Sequence, residues 1–420
     1  MPSSATWPEH AIFWHVYPLG FTGAPVSGEE AREATAPDAT PYPRLRHLVR
    51  WLDHLVELGC NGLLLGPVFA SVGHGYDTLD HRRIDPRLGT EEDFGALVGG
   101  CRARGIRLVL DGVFNHLAAD HPVVQRAVAA GPDTEEGRWI RWVDGYPRFF
   151  EGHSSLVELD LAHPPVADAV TGVMTHWLEQ GADGWRLDAA YAPGAEVWRP
   201  ITDRVRAAHP EAWLVGEVIH GDYPAFVADA GMDSVTQYEL WKATWSALVD
   251  ANLYELDHGL GRHAEFLETF VPQTFVGNHD VTRIASRVGE DGAVLALAVL
   301  MTVGGVPSVY YGDEEGFTGV KEERIGGDDA VRPRFPMQPD ELATWGQHVR
   351  RAHIELIGMR RRHPWLVRAR TETVSLANEH LVYRSVGADG QWLEVELDLR
   401  EGARRAQVRD ADGQQLWAWG

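Results

Sequence analysis

The chain has 420 residues, of which 44% are hydrophobic, and a formal net charge of −23. This length suits one large domain with an appendage, and the hydrophobic fraction is enough for a sizeable core. A strongly acidic chain lacks the basic surface that nucleic acids and anionic membranes require, so neither is an expected partner. A neutral small molecule fits this charge better.

The first residues and the two cysteines indicate the cellular compartment of the protein. The opening MPSSATWPEH contains no apolar segment of signal-peptide type, and no run of about eighteen apolar residues follows. Cys60 and Cys101 form no CxxC pair and fall in predicted core elements, so we expect buried free thiols. Together these features predict a cytoplasmic protein.

Short apolar segments recur along the chain, each followed by a helix-like segment. They are almost continuously apolar and punctuated by glycine, which is typical of strands buried on both faces of a parallel sheet. They lie at 11–17, 61–69, 105–114, 181–189, 212–219, 233–238, 273–280 and 306–312. Eight strand–helix units predict an α/β fold, a closed (β/α)8 or TIM barrel. A doubly wound open sheet is the alternative, weakened because no GxGxxG motif follows the first strand.

One of the intervening helices can be placed by its ends. Thr90 and Asp93 form a capping-box pattern at the start of TEEDFGALVGGCRARG, and Gly105 suits the end. We therefore expect a helix between residues 90 and 105.

Two segments interrupt the rhythm and predict the domain organisation. Roughly 65 residues separate the third and fourth strands, so 117–165 is predicted to be a short inserted domain. From about residue 366, apolar and polar residues alternate in HLVYRSV and QWLEVELDL, which predicts a small antiparallel β domain over 366–420. Residues 1–116 and 166–365 are left to form the barrel.

Acidic residues fall at the carboxyl ends of the predicted strands, where the active site of such a barrel forms. Asp188 and Glu217 end neighbouring strands, and Asp280 lies across the mouth. Arg186 shares a strand face with Asp188 and is expected to keep it ionised, whereas Glu217, without such a partner in sequence, is expected to stay protonated. One ionised and one protonated carboxyl group can cleave a glycosidic bond. A buried ion pair without catalytic role is the alternative for Arg186 and Asp188 alone.

Six segments resemble signature regions of glycoside hydrolase family 13, the α-amylase family. Four resemble the main regions in the family's order: DGVFNH (111–116), GWRLDAA (184–190), GEV (216–218) and FVGNHD (275–280). Two further segments resemble additional regions: GYDTLDHRRIDPRLGTEEDF (75–94) and VELDLAHP (157–164). The resemblance covers about residues 12–365 and points to intracellular α-glucosidase and cyclomaltodextrinase-like members.

The resemblance implies a role for each matching residue. Asp188 would be the nucleophile, Glu217 the general acid and then the base, and Asp280 the residue that holds the hydroxyls of the distorted sugar. The implied sugar-binding residues are His116, His279, Arg186 as partner of the nucleophile, and Tyr76 as the aromatic platform. Asp111 would support Arg186, and a direct contact between Asp111 and the sugar is the equally open alternative. Since the family retains anomeric configuration, the carboxyl groups of Asp188 and Glu217 should lie about 5–5.5 Å apart.

The sequence departs from starch-degrading amylases on the leaving-group side. Many α-amylases carry a Lys-His pair just after the nucleophile segment, where this chain has AAYAP with Tyr191 and Ala192. The insertion after the third strand is also short, which leaves little wall for a long polymer cleft. These features favour a short oligosaccharide or small α-glucoside.

A terminal-glucose clamp and a calcium site are two further hypotheses. Asp77 follows the platform tyrosine, and GGDDAVRPRFP (326–336) resembles a segment where exo-acting members place an arginine, here Arg332. Asp77 and Arg332 would then bind the non-reducing end of a terminal glucose, with a solvated loop charge as the alternative for Arg332. Family calcium sites often use an asparagine at the position of Asn115, but the other ligands cannot be assembled. No metal or cofactor is assigned.

Hydrolysis is not the only activity that these residues allow. A transglycosylase or isomerase would use the same nucleophile with a sugar as acceptor, and the sequence does not separate it from a hydrolase. A catalytically inactive binding subunit is a second alternative, disfavoured because the three acids and both histidines are present. Linkage, exo or endo action and oligomeric state are left open.

Overall fold

The computed structural model describes residues 6–36, 38–324 and 326–420. Within these residues, eight parallel strands form the main sheet, one in each predicted segment. They are β1 (Phe13–Val16), β2 (Gly62–Leu65), β3 (Arg107–Gly112), β4 (Gly184–Leu187), β5 (Trp213–Gly216), β6 (Ser234–Val235), β7 (Gln273–Phe275) and β8 (Val306–Tyr310).

The sheet closes on itself. Its strand order is β6-β5-β4-β3-β2-β1-β8-β7, and a parallel bridge between Thr236 and Gln273 joins the two outer strands. Neighbours in sequence are thus neighbours around the ring, with β1 paired to β8. The TIM barrel is confirmed, and the doubly wound open sheet is excluded.

Helices connect and surround the strands. Their bounds are Pro18–Thr22, Gly28–Thr35, Leu45–Val49, Leu52–Glu57, Glu91–Ala103, Pro122–Ala130, Pro164–Glu179, Ala195–Ala208, Tyr223–Ala230, Tyr238–Asp250, Leu253–Phe266, Ile284–Thr302 and Gln347–Arg362. The predicted capping box is present, because Thr90 Oγ1 accepts from the N–H of Asp93 at 3.3 Å and Asp93 Oδ2 accepts from the N–H of Thr90 at 3.0 Å. Gly105 follows the helix with a φ of +69°, a conformation that glycine adopts without strain.

An apolar layer fills the amino-terminal end of the barrel. Phe13 stacks on Trp213 with ring centroids 5.4 Å apart, and Leu64, Val109 and Val215 pack in the same cluster. Because this end is filled with hydrophobic side chains, the polar residues of the strands collect toward the opposite end, where the strand termini and their loops meet.

Two smaller parts flank the barrel. The stretch after β3 contains the antiparallel pairs His116–Ala118 with Leu156–Glu158 and Trp142–Val143 with Tyr146–Pro147. The C-terminal residues form a five-stranded antiparallel sheet, which confirms the predicted β domain: β9 (Arg370–Ala377), β10 (His380–Val386), β11 (Trp392–Asp398), β12 (Arg405–Asp410) and β13 (Gln415–Trp419). The proposed domain boundaries at 116, 165 and 365 stay a prediction.

Cys60 and Cys101 are free and buried, as the sequence predicted. Across the part of the chain that the structure describes, no helix combines the length and apolar character needed to cross a bilayer.

Candidate active site

Arg186 is the centre of the site, and three carboxylates surround it. It is level with Asp111 on β3, its direct partner in the strand register. Its Nη1 lies 2.7 and 2.8 Å from the two oxygens of Asp111 and 3.2 Å from Oδ1 of Asp188. Its Nη2 lies 2.6 Å from Oε1 of Glu217, at the end of β5. One buried guanidinium therefore holds the nucleophile candidate, the acid candidate and a supporting aspartate.

This arrangement corrects the expected division of charge. Glu217 has no cationic partner close to it in sequence, but in the structure Arg186 contacts Glu217 more closely than it contacts Asp188. Burial and the nearby Glu217 raise the pKa of Asp188 well above its usual value, although Arg186 acts in the opposite direction. Arg186 is therefore shared between the two carboxyl groups and does not by itself hold the pKa of Asp188 down.

Glu217 is fixed from three sides. Besides Arg186, the hydroxyl of Tyr238 donates to Oε1 at 3.1 Å, and the N–H of Ala189 donates to Oε2 at 3.0 Å. Ala189 has a φ of +44°, a strained conformation that persists where the surrounding structure enforces it. Asn278 in turn donates to the Tyr238 hydroxyl at 3.0 Å. The acid candidate is therefore held in a single orientation.

Asp280 faces this cluster from the loop after β7. His279 Nε2 lies 2.9 Å from its Oδ2, and Arg332 Nη2 lies 2.9 Å from its Oδ1. Although burial opposes ionisation, His279, Arg332 and Arg186 hold the pKa of Asp280 well below its usual range. Asp280 is therefore a carboxylate at neutral pH.

Tyr76 and the two histidines form the aromatic part of the site. Tyr76 stacks on His279 with centroids 5.1 Å apart and nearly parallel rings, bonds to its Nε2, and donates to Asp111 Oδ2 at 2.9 Å. His116 donates from Nε2 to the carbonyl of Tyr76 at 2.9 Å and stacks on Phe150 at 4.6 Å. Burial lowers the pKa of His116 to about 4, so its ring is neutral.

Asp77 and Arg332 form no ion pair with each other among the described residues. Asp77 accepts from the N–H of Gly75 at 3.1 Å, within its own turn. Arg332 instead contacts Asp280, lies 3.2 Å from Asp328 and stacks over Tyr17 at 4.6 Å. With only 9% of its side chain exposed, Arg332 is not a solvated loop charge, so that alternative is wrong. Its joint action with Asp77 stays a prediction.

A cavity of about 460 Å³ opens above these residues. Asp188, Glu217 and Asp280 lie on its surface together with residues from the inserted segment and from the loop after β8. The sequence reasoning gave no role to several of its lining residues, among them His74, Phe150, Glu151, His153, Tyr238 and Asp328. Their positions depend on how loops fold over the barrel, and the one available signal was the aromatic run RFFEGH at 148–153.

Calcium binding at Asn115 stays a hypothesis; the side-chain amide nitrogen of Asn115 lies 3.2 Å from Nδ1 of His116. Among the described residues, one group of three metal-ligand side chains occurs, His54, Glu314 and Glu315. That group is an internal ion-pair network, since Arg350 pairs with Glu315 at 2.7 Å and His54 pairs with Glu314 at 3.3 Å.

Comparison with known proteins agrees with this geometry. The family described as alpha amylase, catalytic domain, matches residues 44–354. A maltogenic α-amylase of Bacillus acidopullulyticus is 28% identical over 89% of this chain and 64% of its own length. A cyclomaltodextrinase of Geobacillus thermopakistaniensis is 28% identical over 98% of this chain and 72% of its own length. The chain thus spans less than two thirds of the first of these two relatives.

A solved structure is similar over nearly the whole chain. It is the cyclic α-maltosyl-(1→6)-maltose hydrolase of Arthrobacter globiformis in complex with cyclic α-maltosyl-(1→6)-maltose. The identity is 28%, the TM-score is 0.80, and the match covers 94% of this chain and 92% of that one. The chain belongs to the α-amylase family, glycoside hydrolase family 13.

Proposed function

We propose that this protein is a retaining glycoside hydrolase that cleaves α-glucosidic bonds in short oligosaccharides or small α-glucosides. The observation that carries the proposal is that Asp188 and Glu217 contact the same guanidinium, at 3.2 and 2.6 Å. Two carboxyl groups on one guanidinium are close together, as a retaining pair requires at a separation of about 5–5.5 Å.

The first half of the reaction forms a covalent intermediate. An oxygen of Asp188 attacks the anomeric carbon while Glu217 gives its proton to the glycosidic oxygen, so the carbon–oxygen bond to the leaving group breaks. Burial and the nearby Glu217 raise the pKa of Asp188, whereas Arg186, 3.2 Å away, favours its ionised and nucleophilic form. The ionised Asp280 accepts hydrogen bonds from the hydroxyls of the sugar.

The second half releases the sugar and restores the enzyme. Glu217, now a carboxylate, takes a proton from a water molecule that attacks the anomeric carbon, and the bond to Asp188 breaks. Two inversions at the same carbon leave the anomeric configuration unchanged. If a sugar hydroxyl takes the place of this water, the same steps give transglycosylation.

The shape of the cavity supports a short substrate. Arg332, Asp328 and Lys321 bound one side. On another side, the hydroxyl of Tyr191 donates to Glu151 at 2.6 Å and joins the inserted segment to the barrel. The volume of about 460 Å³ is within the range of small-molecule sites, about 300–1,000 Å³. The Arthrobacter relative, a hydrolase bound to a cyclic tetrasaccharide built from maltose units, supports α-glucosyl specificity.

Product analysis by NMR tests the proposal. The purified protein is incubated with maltose, maltotriose, a cyclodextrin, trehalose and sucrose, with Asp188→Asn as the matched inactive control. Early release of the α-anomer supports retaining hydrolysis, and early release of the β-anomer contradicts it. New oligosaccharides with little free glucose identify a transglycosylase, and wild-type activity in Asp188→Asn contradicts the assigned nucleophile. A cytoplasmic location stays part of the proposal, supported by the two free buried thiols.

A further inference from the structure

A small cavity lies inside the barrel, beneath the residues that line the active site. Its volume is about 10 Å³, which leaves room for about one water molecule. Its wall is mostly polar and includes Arg186, Gln273 and Ser308, together with His15 from β1 and His279 from the loop after β7. All these wall residues are buried.

Two imidazole nitrogens at this cavity have no hydrogen-bond partner among the described residues. They are Nε2 of His15 and Nδ1 of His279, on side chains whose exposures are 3% and 0%. The two rings meet edge to face with centroids 5.2 Å apart. Nε2 of His279 is occupied by Asp280 and Tyr76, so its unpartnered Nδ1 lies on another edge of the ring.

Both nitrogens need a hydrogen-bond partner that the described residues do not supply. Burial, His279 and Arg186 lower the pKa of His15 well below its usual value, so its neutral ring has one donor and one acceptor nitrogen. Nε2 of His279 already contacts Asp280, which leaves Nδ1 of the same ring without a partner among the described residues. Buried polar atoms of this kind are almost always hydrogen-bonded, either to protein or to ordered water.

We propose that the cavity holds one ordered water molecule that forms hydrogen bonds with both Nδ1 of His279 and Nε2 of His15. These bonds fix the orientation of the His279 ring, so that its Nε2 stays directed at Asp280. His15 is thus a positioning residue, which acts on the substrate only through the water, His279 and Asp280. This positioning role rests on the proposed function, whereas the water site does not.

Diffraction tests the water site. A high-resolution crystal structure of the wild-type protein should show a density peak within hydrogen-bond distance of both nitrogens, and the peak should be absent or displaced in His15→Phe. Phenylalanine is close to histidine in shape but offers no nitrogen. A wild-type cavity without the peak, or one in which protein atoms bond to both nitrogens, overturns the proposal.

Kinetics tests the positioning role. We expect His15→Phe to lower kcat about tenfold, as loss of an outer-sphere orienting partner often does, with KM nearly unchanged. The main effect falls on kcat because hydrogen bonds to the sugar hydroxyls strengthen in the transition state. His15→Gln, whose amide can bond to the same water, should recover most of kcat.

A matched control separates this effect from general damage to the core. His353 is another buried histidine, bonded through Nδ1 to the carbonyl of Val349, and His353→Phe should keep kcat. Full kcat in His15→Phe, or equal losses in His15→Gln and His15→Phe, contradicts the positioning role. If the wild type acts on no sugar, the proposed function fails instead, and diffraction still decides the water site.

Discussion

Arg332 is expected to act by holding Asp280 in its ionised state, and Arg332→Met tests this directly. The substitution keeps much of the side-chain length but removes the contacts of 2.9 Å to Asp280 and 3.2 Å to Asp328. His279 remains as a partner of Asp280. The variant therefore removes one cation, together with its hydrogen bond to the carbonyl of His279 at 3.0 Å and its contact with the Tyr17 ring.

The size of the effect follows from burial and distance. A charge pair at this separation gains about 4 kcal/mol at the effective dielectric constant of a partly buried site. Only 9% of Arg332 but 33% of Asp280 is exposed, so solvent screening reduces this to about 2 kcal/mol. A loss of that size corresponds to about 30-fold in kcat/KM. Because Arg332 lowers the pKa of Asp280, its removal raises that pKa, and the acid limb of activity moves to higher pH.

The assay is kcat/KM for the best substrate between pH 4 and 8, with the melting temperature as the measure of folding. Asp77→Asn is the informative control, because Asp77 contacts the Gly75 turn at 3.1 Å rather than Arg332. If Arg332 acts through Asp280, Asp77→Asn keeps the wild-type acid limb, even where it weakens substrate binding. A folded Arg332→Met protein with unchanged kcat/KM and pH profile would refute the reasoning.

Three further predictions concern the leaving-group side, acid stability and one helix cap. Tyr191→Phe removes the 2.6 Å hydrogen bond to Glu151 and should reduce kcat/KM for maltotriose about fivefold, since this charged hydrogen bond is partly exposed. The kcat/KM for an aryl α-glucoside, measured in parallel, should be unaffected. Equal losses for the two substrates would contradict a role of Tyr191 in binding the leaving sugar. Burial lowers the pKa of His81 to about 4 from 6.5, so its stabilising contribution is present above pH 6.5 and is lost as the pH falls toward 4. The free energy of unfolding in urea should therefore depend less steeply on pH in His81→Gln than in the wild type. The same pH dependence in both proteins would contradict this role of His81. Thr90→Ala removes the cap bond to Asp93 and should cost about 1 kcal/mol in unfolding free energy, measured by urea denaturation, with activity preserved.

The fold class and the convergence of the three acids could both be predicted from the sequence alone. Apolar segments of strand length that alternate with helical patterns permit few solutions, and a helix cap such as that at Thr90 depends only on residues three positions apart. Asp188, Glu217 and Asp280 could be placed near one another because the carboxyl ends of parallel strands meet at one end of a barrel. These inferences need only local pattern and the direction of the chain.

The tertiary structure decided how charge is shared and what surrounds the substrate. Arg186 is two residues from Asp188 in sequence, yet it contacts Glu217 more closely. Glu217 follows the neighbouring parallel strand, and the spacing of residues along the chain does not show which side chains of two neighbouring strands meet. The partners of Arg332 likewise depend on the fold of the loop after β8. Strand order and register bring such distant residues together, and burial then sets their pKa values, so neither effect can be derived from a single linear pattern.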